Sequence, residues 1–120
     1  MKQILLIDDD AVQLRMRKAI LCQSGFAVAT ATNAEAALAL LRASPNLFGL
    51  VISDHFLQCM TAVEVIRRLR TFLPQLPVAV ISGMPGLEDE YEGLNVEVHL
   101  KPMPPQDLIE LVRSRIGAQP

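Results

Sequence analysis

Asp54 closes the apolar stretch Leu50-Val51-Ile52-Ser53, so a carboxylate stands at the end of a segment built for burial. Three other segments end on reactive or charged side chains. Ile4-Leu5-Leu6-Ile7 runs into Asp8 and Asp9, Val78-Ala79-Val80-Ile81 into Ser82, and Val96 to Leu100 into Lys101. Three carboxylates converging on one crevice repel one another, and such a site needs a cation or raised pKa values. Oxygen-only ligands suit a hard ion, and Mg²⁺ held by one or two carboxylates, waters and a phosphate fits that set. Lys101 would add a fixed positive charge and Ser82 a hydroxyl donor. Mg²⁺, ammonium and hydroxyl are the groups that neutralise a transferring phosphoryl group, with Asp54 as the nucleophile forming an acyl phosphate. Alone, Asp8-Asp9-Asp10 reads as a solvated helix start. It reads as chemistry when Asp54, Ser82 and Lys101 join it.

The elements between these residues must bring them together. Short, uninterrupted apolar runs predict parallel strands covered on both faces. Ligands of open α/β sheets bind beyond the carboxyl ends of such strands. Asp10 is the predicted N-cap of a helix whose apolar stripe is Val12, Met16, Ala19 and Ile20, stopped by Ser24-Gly25. A second strand covers Phe26 to Ala31. Thr32-Asn33-Ala34-Glu35 has the capping-box pattern, and its helix runs to about Arg42 before Ser44-Pro45-Asn46 breaks it. Leu50 to Ser53 is the third strand. The next helix carries Val63, Val65, Ile66 and Leu69 and closes before Pro74. Met84 to Asn95 is acidic and poorly periodic, which predicts a single turn or a loop. Pro105 opens the last helix, with Leu108, Ile109, Val112 and Ile116 as its stripe. Five strands alternating with helical segments predict an α/β, doubly wound, five-stranded parallel sheet with helices on both faces. Alternation leaves the strand order open.

Length and composition narrow the function classes. With 120 residues, 51% of them hydrophobic, the chain is read as one domain over residues 1–120. A net charge of −2 gives no basic field of the kind that binds nucleic acid. Arg67, Arg68 and Arg70 form a local patch, read as a solvated rim. No apolar run approaches the roughly 18 residues of a membrane span. Met1-Lys2-Gln3-Ile4 enters a strand directly, so no signal peptide is expected. Cys22 and Cys59 make no disulfide framework, which with the missing signal suggests a reducing, cytoplasmic setting. Cys22 is expected in the core, and Cys59 in a loop gap. His55 and His99 are expected at a surface or interface, with Met16, Met60, Met84 and Met103 filling gaps. Glu88-Asp89-Glu90 is read as solvated loop.

The ordered set Asp8-Asp9, Asp54, Ser82-Gly83 and Lys101-Pro102, each at a strand end, resembles the receiver domain of bacterial two-component response regulators over the whole chain. The resemblance implies a flavodoxin-like three-layer αβα fold with sheet order 2-1-3-4-5 and a Lys-Pro bond that is commonly cis. It implies that Asp54 is the phosphoacceptor, and that Asp9 and Asp54 bind Mg²⁺ directly with the main-chain carbonyl of Phe56. Asp8 would act through a metal-bound water, Ser82 and Lys101 would contact the phosphoryl oxygens, and Gly83 would leave them space. Phe56 and Met84 would flank the approach of hydrolytic water. The implied partners are a sensor histidine kinase or a histidine phosphotransfer protein and an output partner, with the chain a monomer or weak homodimer. It would be a signalling domain that assists its own phosphorylation and dephosphorylation, not an enzyme.

Departures from the family pattern sharpen the alternatives. Gln58, Cys59 and Ala62 stand where the family carries a Pro-Gly and a later Gly. Val98 occupies the aromatic switch position, and the interval from Ser82 to Lys101 is a few residues short, which predicts a shortened fourth helix. These changes support a pseudo-receiver, a protein-interaction module independent of phosphorylation, as the competing reading. A haloacid dehalogenase-type phosphatase is excluded, because Phe56 stands where its second Asp belongs. Direct DNA binding is not expected, since nothing beyond Pro120 supplies a DNA-binding domain.

Overall fold

The computed structural model describes residues 2–117, and the expectations attached to Met1 and Pro120 lie outside them. The chain runs β1 (Gln3–Ile7), α1 (Ala11–Gln23), β2 (Val28–Ala31), α2 (Ala34–Ala43), β3 (Phe48–Asp54), α3 (Ala62–Arg70) and β4 (Val78–Ser82). A single 3₁₀ turn (Glu88–Tyr91), β5 (Val96–Leu100) and α4 (Pro105–Ile116) complete it. The strands form one parallel sheet in the order β2-β1-β3-β4-β5.

Strand pleating divides the core into two halves. Leu5, Ile7, Val51, Val78 and Val80 face α2 and α3, where Ala37, Leu38, Leu41, Val65, Ile66 and Leu69 are buried. Alternate residues Ile4, Leu6, Leu50, Ile52, Ala79 and Ile81 face Leu14 and Leu21 of α1 and Leu108, Leu111 and Val112 of α4. Successive strand side chains point to opposite faces, so an apolar run fills both layers at once. Truncating one of these fully buried leucines to alanine costs about 2–5 kcal/mol.

Helix ends follow their capping residues. Asp10 Oδ1 accepts from the amides of Val12 and Gln13, as predicted. Gly25 takes φ 92°, the left-handed conformation that closes α1. At α2 the cap is Asn33, whose Oδ1 accepts from Ala36 N at 2.8 Å, so the helix starts one residue later than a Thr32 capping box would place it.

The face of α1 differs from expectation. Val12 and Met16 are 56% and 59% exposed, whereas Leu14 and Leu21 are buried. The inward face therefore reads Leu14, Arg17, Leu21, at i, i+3 and i+7. Its middle member is charged because it points at Asp8 (below), and that charge hid the stripe. Cys22, on the outer side, is exposed rather than core, and Cys59 is exposed too. Among the methionines, Met60 and Met103 pack against the core, while Met16 and Met84 stand largely in solvent.

Arg70 also departs from its predicted rim. Its guanidinium donates to the carbonyls of Leu73, Leu76, Leu94 and Asn95 at 2.7–3.0 Å. It thus ties the end of α3 to the turn before β4 and to the turn before β5. Burial lowers its pKa from the ordinary value, and four carbonyl acceptors compensate the buried charge.

Candidate functional site

Strand register aligns the four chemical ends of the sheet. Ile7 pairs with Ser53, so Asp8 follows β1 at the level where Asp54 ends β3. Asp54 pairs with Ile81, and Ser82 with Leu100, which sets Ser82 and Lys101 side by side beyond β4 and β5. The amide of Lys101 donates to the Ser82 carbonyl at 2.7 Å, holding the last strand end against its neighbour. The peptide bond that follows, Lys101–Pro102, is cis.

Asp8, Asp9 and Asp54 each place a carboxylate oxygen within 4.8 Å of the others. Asp8 is fully buried, Asp54 half-buried and Asp9 exposed. Lys101 Nζ lies 3.1 Å from Asp54 Oδ1. The buried hydroxyl of Ser82 accepts from Met84 N at 3.0 Å, and that bond shapes the loop beyond β4. A Cβ added at Gly83 would meet nothing within 4 Å, so the space beside Ser82 is open. Beyond Asp54 the loop folds back through an isolated bridge between Phe56 and Thr61. Leu57 N donates to Met60 O, and Ala62 N to His55 O. This bridge uses the groups on either side of the Phe56 carbonyl. Three carboxylates among hard oxygen donors suit a divalent ion such as Mg²⁺ rather than a soft metal.

Asp8 is the most constrained member. Its Oδ1 accepts from the Asp10 amide at 2.9 Å, and its Oδ2 pairs with Arg17 at 3.4 Å. Burial raises its pKa. The Asp10 hydrogen bond opposes that shift, the Asp54 charge reinforces it, and Arg17 and Lys101 pull it down. Among the described residues the exposed Asp9 is in no ion pair, whereas Asp8 pairs with Arg17 and Asp54 with Lys101.

Two further features were not anticipated. His55 is buried, not a surface or interface histidine, and its Nδ1 lies 2.6 Å from the Tyr91 hydroxyl. Tyr91 sits in the 3₁₀ turn and is itself buried. Burial above all, and then the charges of Glu90 and Asp54, raise its pKa. The residue after Asp54 is therefore joined directly to the segment where a fourth long helix would stand. Arg17 is the other omission. A lone tyrosine in an acidic stretch, and an arginine seven residues after the N-cap, were the available signals.

The chain matches the model of the response regulator receiver domain over residues 4–113. It belongs to the response regulator receiver family. Among relatives, the receiver chain is 31% identical to the hydrogenase transcriptional regulatory protein HoxA of Cupriavidus necator, covering 97% of this chain and 24% of that protein. It is 29% identical to the two-component response regulator PprB of Pseudomonas aeruginosa, over 94% of this chain and 44% of that protein. The chain thus spans less than half the length of these relatives. Among solved structures, a CheY-like receiver domain protein from Methanospirillum hungatei superposes with a TM-score of 0.86 at 27% identity, over 95% of this chain and 92% of that one. A response regulator receiver protein from Pseudomonas putida gives 0.84 at 29% identity, over 95% and 97%. The strand order 2-1-3-4-5 and the flavodoxin-like layering of these receivers are the ones described above. Among the described residues, no helix is long and apolar enough to cross a membrane.

Proposed function

We propose that this receiver is a phosphorylation-dependent switch of a two-component phosphorelay, accepting a phosphoryl group on Asp54. The donor would be a phosphohistidine on a sensor kinase or histidine phosphotransfer protein, in a cytoplasmic setting. The observation that carries this reading is the placement of Lys101 Nζ 3.1 Å from Asp54 beside three clustered carboxylates at the sheet's C-terminal edge.

In this reading an Asp54 carboxylate oxygen attacks phosphorus as the bond from phosphorus to the donor imidazole breaks, and the imidazole leaves with the electron pair. Lys101 moves its ammonium from Asp54 to a phosphoryl oxygen. The Ser82 hydroxyl turns to donate to another, and Gly83 leaves the room they need. Asp8, Asp9, Asp54 and the Phe56 carbonyl would hold Mg²⁺, which when bound neutralises charge on the transferring group. The same groups would assist the hydrolysis that resets the switch. Residues 1–120 would act as one receiver domain, alone or within a longer chain.

The test is exposure to acetyl phosphate with Mg²⁺, read by intact mass. Gain of one phosphoryl unit by the parent and none by Asp54→Asn is expected. An unchanged parent mass would favour the pseudo-receiver reading, in which the fold signals through constitutive contacts.

A further inference from the structure

Arg17 is a full positive charge inserted into a site that already holds Lys101. Its guanidinium lies 3.4 Å from Asp8 Oδ2, with its side chain only 14% exposed. The helix face it occupies otherwise carries buried Leu14 and Leu21, so its direction is set by the packing of α1. One turn earlier on α1, the side-chain oxygen of Gln13 is buried without a hydrogen-bond partner among the described residues. Residues four apart on a helix are neighbours, and Gln13 and Arg17 line the same groove, about 560 Å³, between α1 and the start of α4. Buried acceptors are normally satisfied. This one belongs to a residue that lines the same groove as Arg17, the nearest long donor on that face of the helix.

We propose that Arg17 is a tethered cation that competes with the divalent ion for the carboxylate cluster, with Gln13 Oε1 as the berth its guanidinium takes when an ion binds. The inference rests on the metal-dependent reading above and adds to it a residue that sets how much ion the site requires. With no ion bound, Arg17 neutralises the most buried carboxylate and keeps the acidic cluster tolerable. An arriving divalent cation meets a like charge a few ångströms away. Even at the dielectric constant of water, a single charge opposing a double one at that range weakens binding by at least about tenfold. Moving the guanidinium to Gln13 relieves that repulsion and satisfies an orphan acceptor. Arg17 is thus a positioning residue acting through Asp8.

The experiment is calorimetric titration of Mg²⁺ into the full chain at fixed ionic strength. The parent is compared with Arg17→Met, Arg17→Lys, Gln13→Met and the Gln13→Met/Arg17→Met double variant, with folding checked by circular dichroism. Arg17→Met should bind Mg²⁺ about tenfold more tightly than the parent. Arg17→Lys should return most of the way to parent affinity. Gln13→Met should weaken binding in the parent background and change nothing where Arg17 is already methionine, a coupling that a purely structural role of Gln13 would not produce. Equal or weaker Mg²⁺ affinity in Arg17→Met overturns the competition. Should that variant not fold, a Gln13→Met affinity equal to the parent's overturns it instead. Saturable binding with equal affinities sinks only the role of Arg17. Absence of Mg²⁺ binding in every protein sinks the metal-dependent reading together with it.

Discussion

Each of the three carboxylates meets a different environment, and each environment makes its own demand. Asp9 is exposed, clustered with Asp8 and Asp54, and among the described residues is in no ion pair. Asp9→Asn should therefore stabilise the metal-free protein by about 1 kcal/mol, the water-like value for like charges some 4 Å apart. It should also abolish the stabilisation that Mg²⁺ gives. Urea melts in EDTA and in Mg²⁺ measure both, and a weakened metal-free variant would contradict clustered repulsion. Asp8 behaves differently, because burial raises its pKa above the ordinary carboxyl value. The folded state then holds its proton more tightly than the unfolded chain does. Between the unfolded and the raised folded pKa the native state binds more protons, so stability falls as pH rises through that window. In EDTA, Asp8→Asn should lose less stability than the parent as pH rises through the window above the ordinary carboxyl range, where the folded state alone still holds the Asp8 proton. Parallel pH profiles for the two proteins would refute the assignment.

Among the elements, the segment between β4 and β5 is the unusual one. A 3₁₀ turn replaces a helix there, and besides the buried side chains of Leu87 and Tyr91 two polar contacts hold it. Arg70 gathers the carbonyls of Leu94 and Asn95, and Tyr91 reaches His55. Both partners of the second contact are buried, so removing the hydroxyl leaves a histidine nitrogen without its bond. Tyr91→Phe should cost about 1–3 kcal/mol, the range for orphaning a buried polar group. Amide exchange should quicken around residues 88–95 first, because Tyr91 sits in that turn. A melt unchanged by the substitution, with unaltered exchange in the turn, would show that the contact contributes nothing. Val98 stands in the last strand where receivers commonly carry a switching aromatic. The direct His55–Tyr91 link gives this chain another mechanical connection between its site and that edge of the sheet.

At the scale of the whole molecule, the lifetime of a phosphoryl group depends on what borders the open end of the sheet. Phe56 and Met84 stand two residues beyond Asp54 and Ser82, exposed by 53% and 47%. Neither side chain can hydrogen-bond and orient a water, and both present apolar surface to solvent at the loops that frame the site. The phosphorylated form is accordingly expected to be long-lived. Phe56→Asn with Met84→Glu should hydrolyse about tenfold faster, equivalent to roughly 1.4 kcal/mol of barrier. Decay of phosphorylated protein after donor removal is the measurement. Identical decay in parent and double variant would leave the two residues as loop cover.

Sequence alone determined the elements and which side chains stand at their ends. Short runs such as Ile4 to Ile7 and Val78 to Ile81, bounded by polar residues, suit strands buried on both faces, and each run stops at a residue able to take part in phosphoryl transfer. Caps and breakers such as Asp10, Gly25 and Pro105 are local, so their signals survive without any knowledge of the fold. Tertiary structure decided whatever depends on which way an element faces. Arg17 and Arg70 carry charges that read as solvent-exposed, yet packing turns one toward Asp8 and the other onto four backbone carbonyls. Met16 and Cys22 are apolar residues that the same packing leaves outside. His55 and Tyr91 are 36 residues apart in sequence. No periodicity couples them, because their meeting depends on the crossover that brings β4 beside β3 and lets a short turn settle over the loop beyond Asp54.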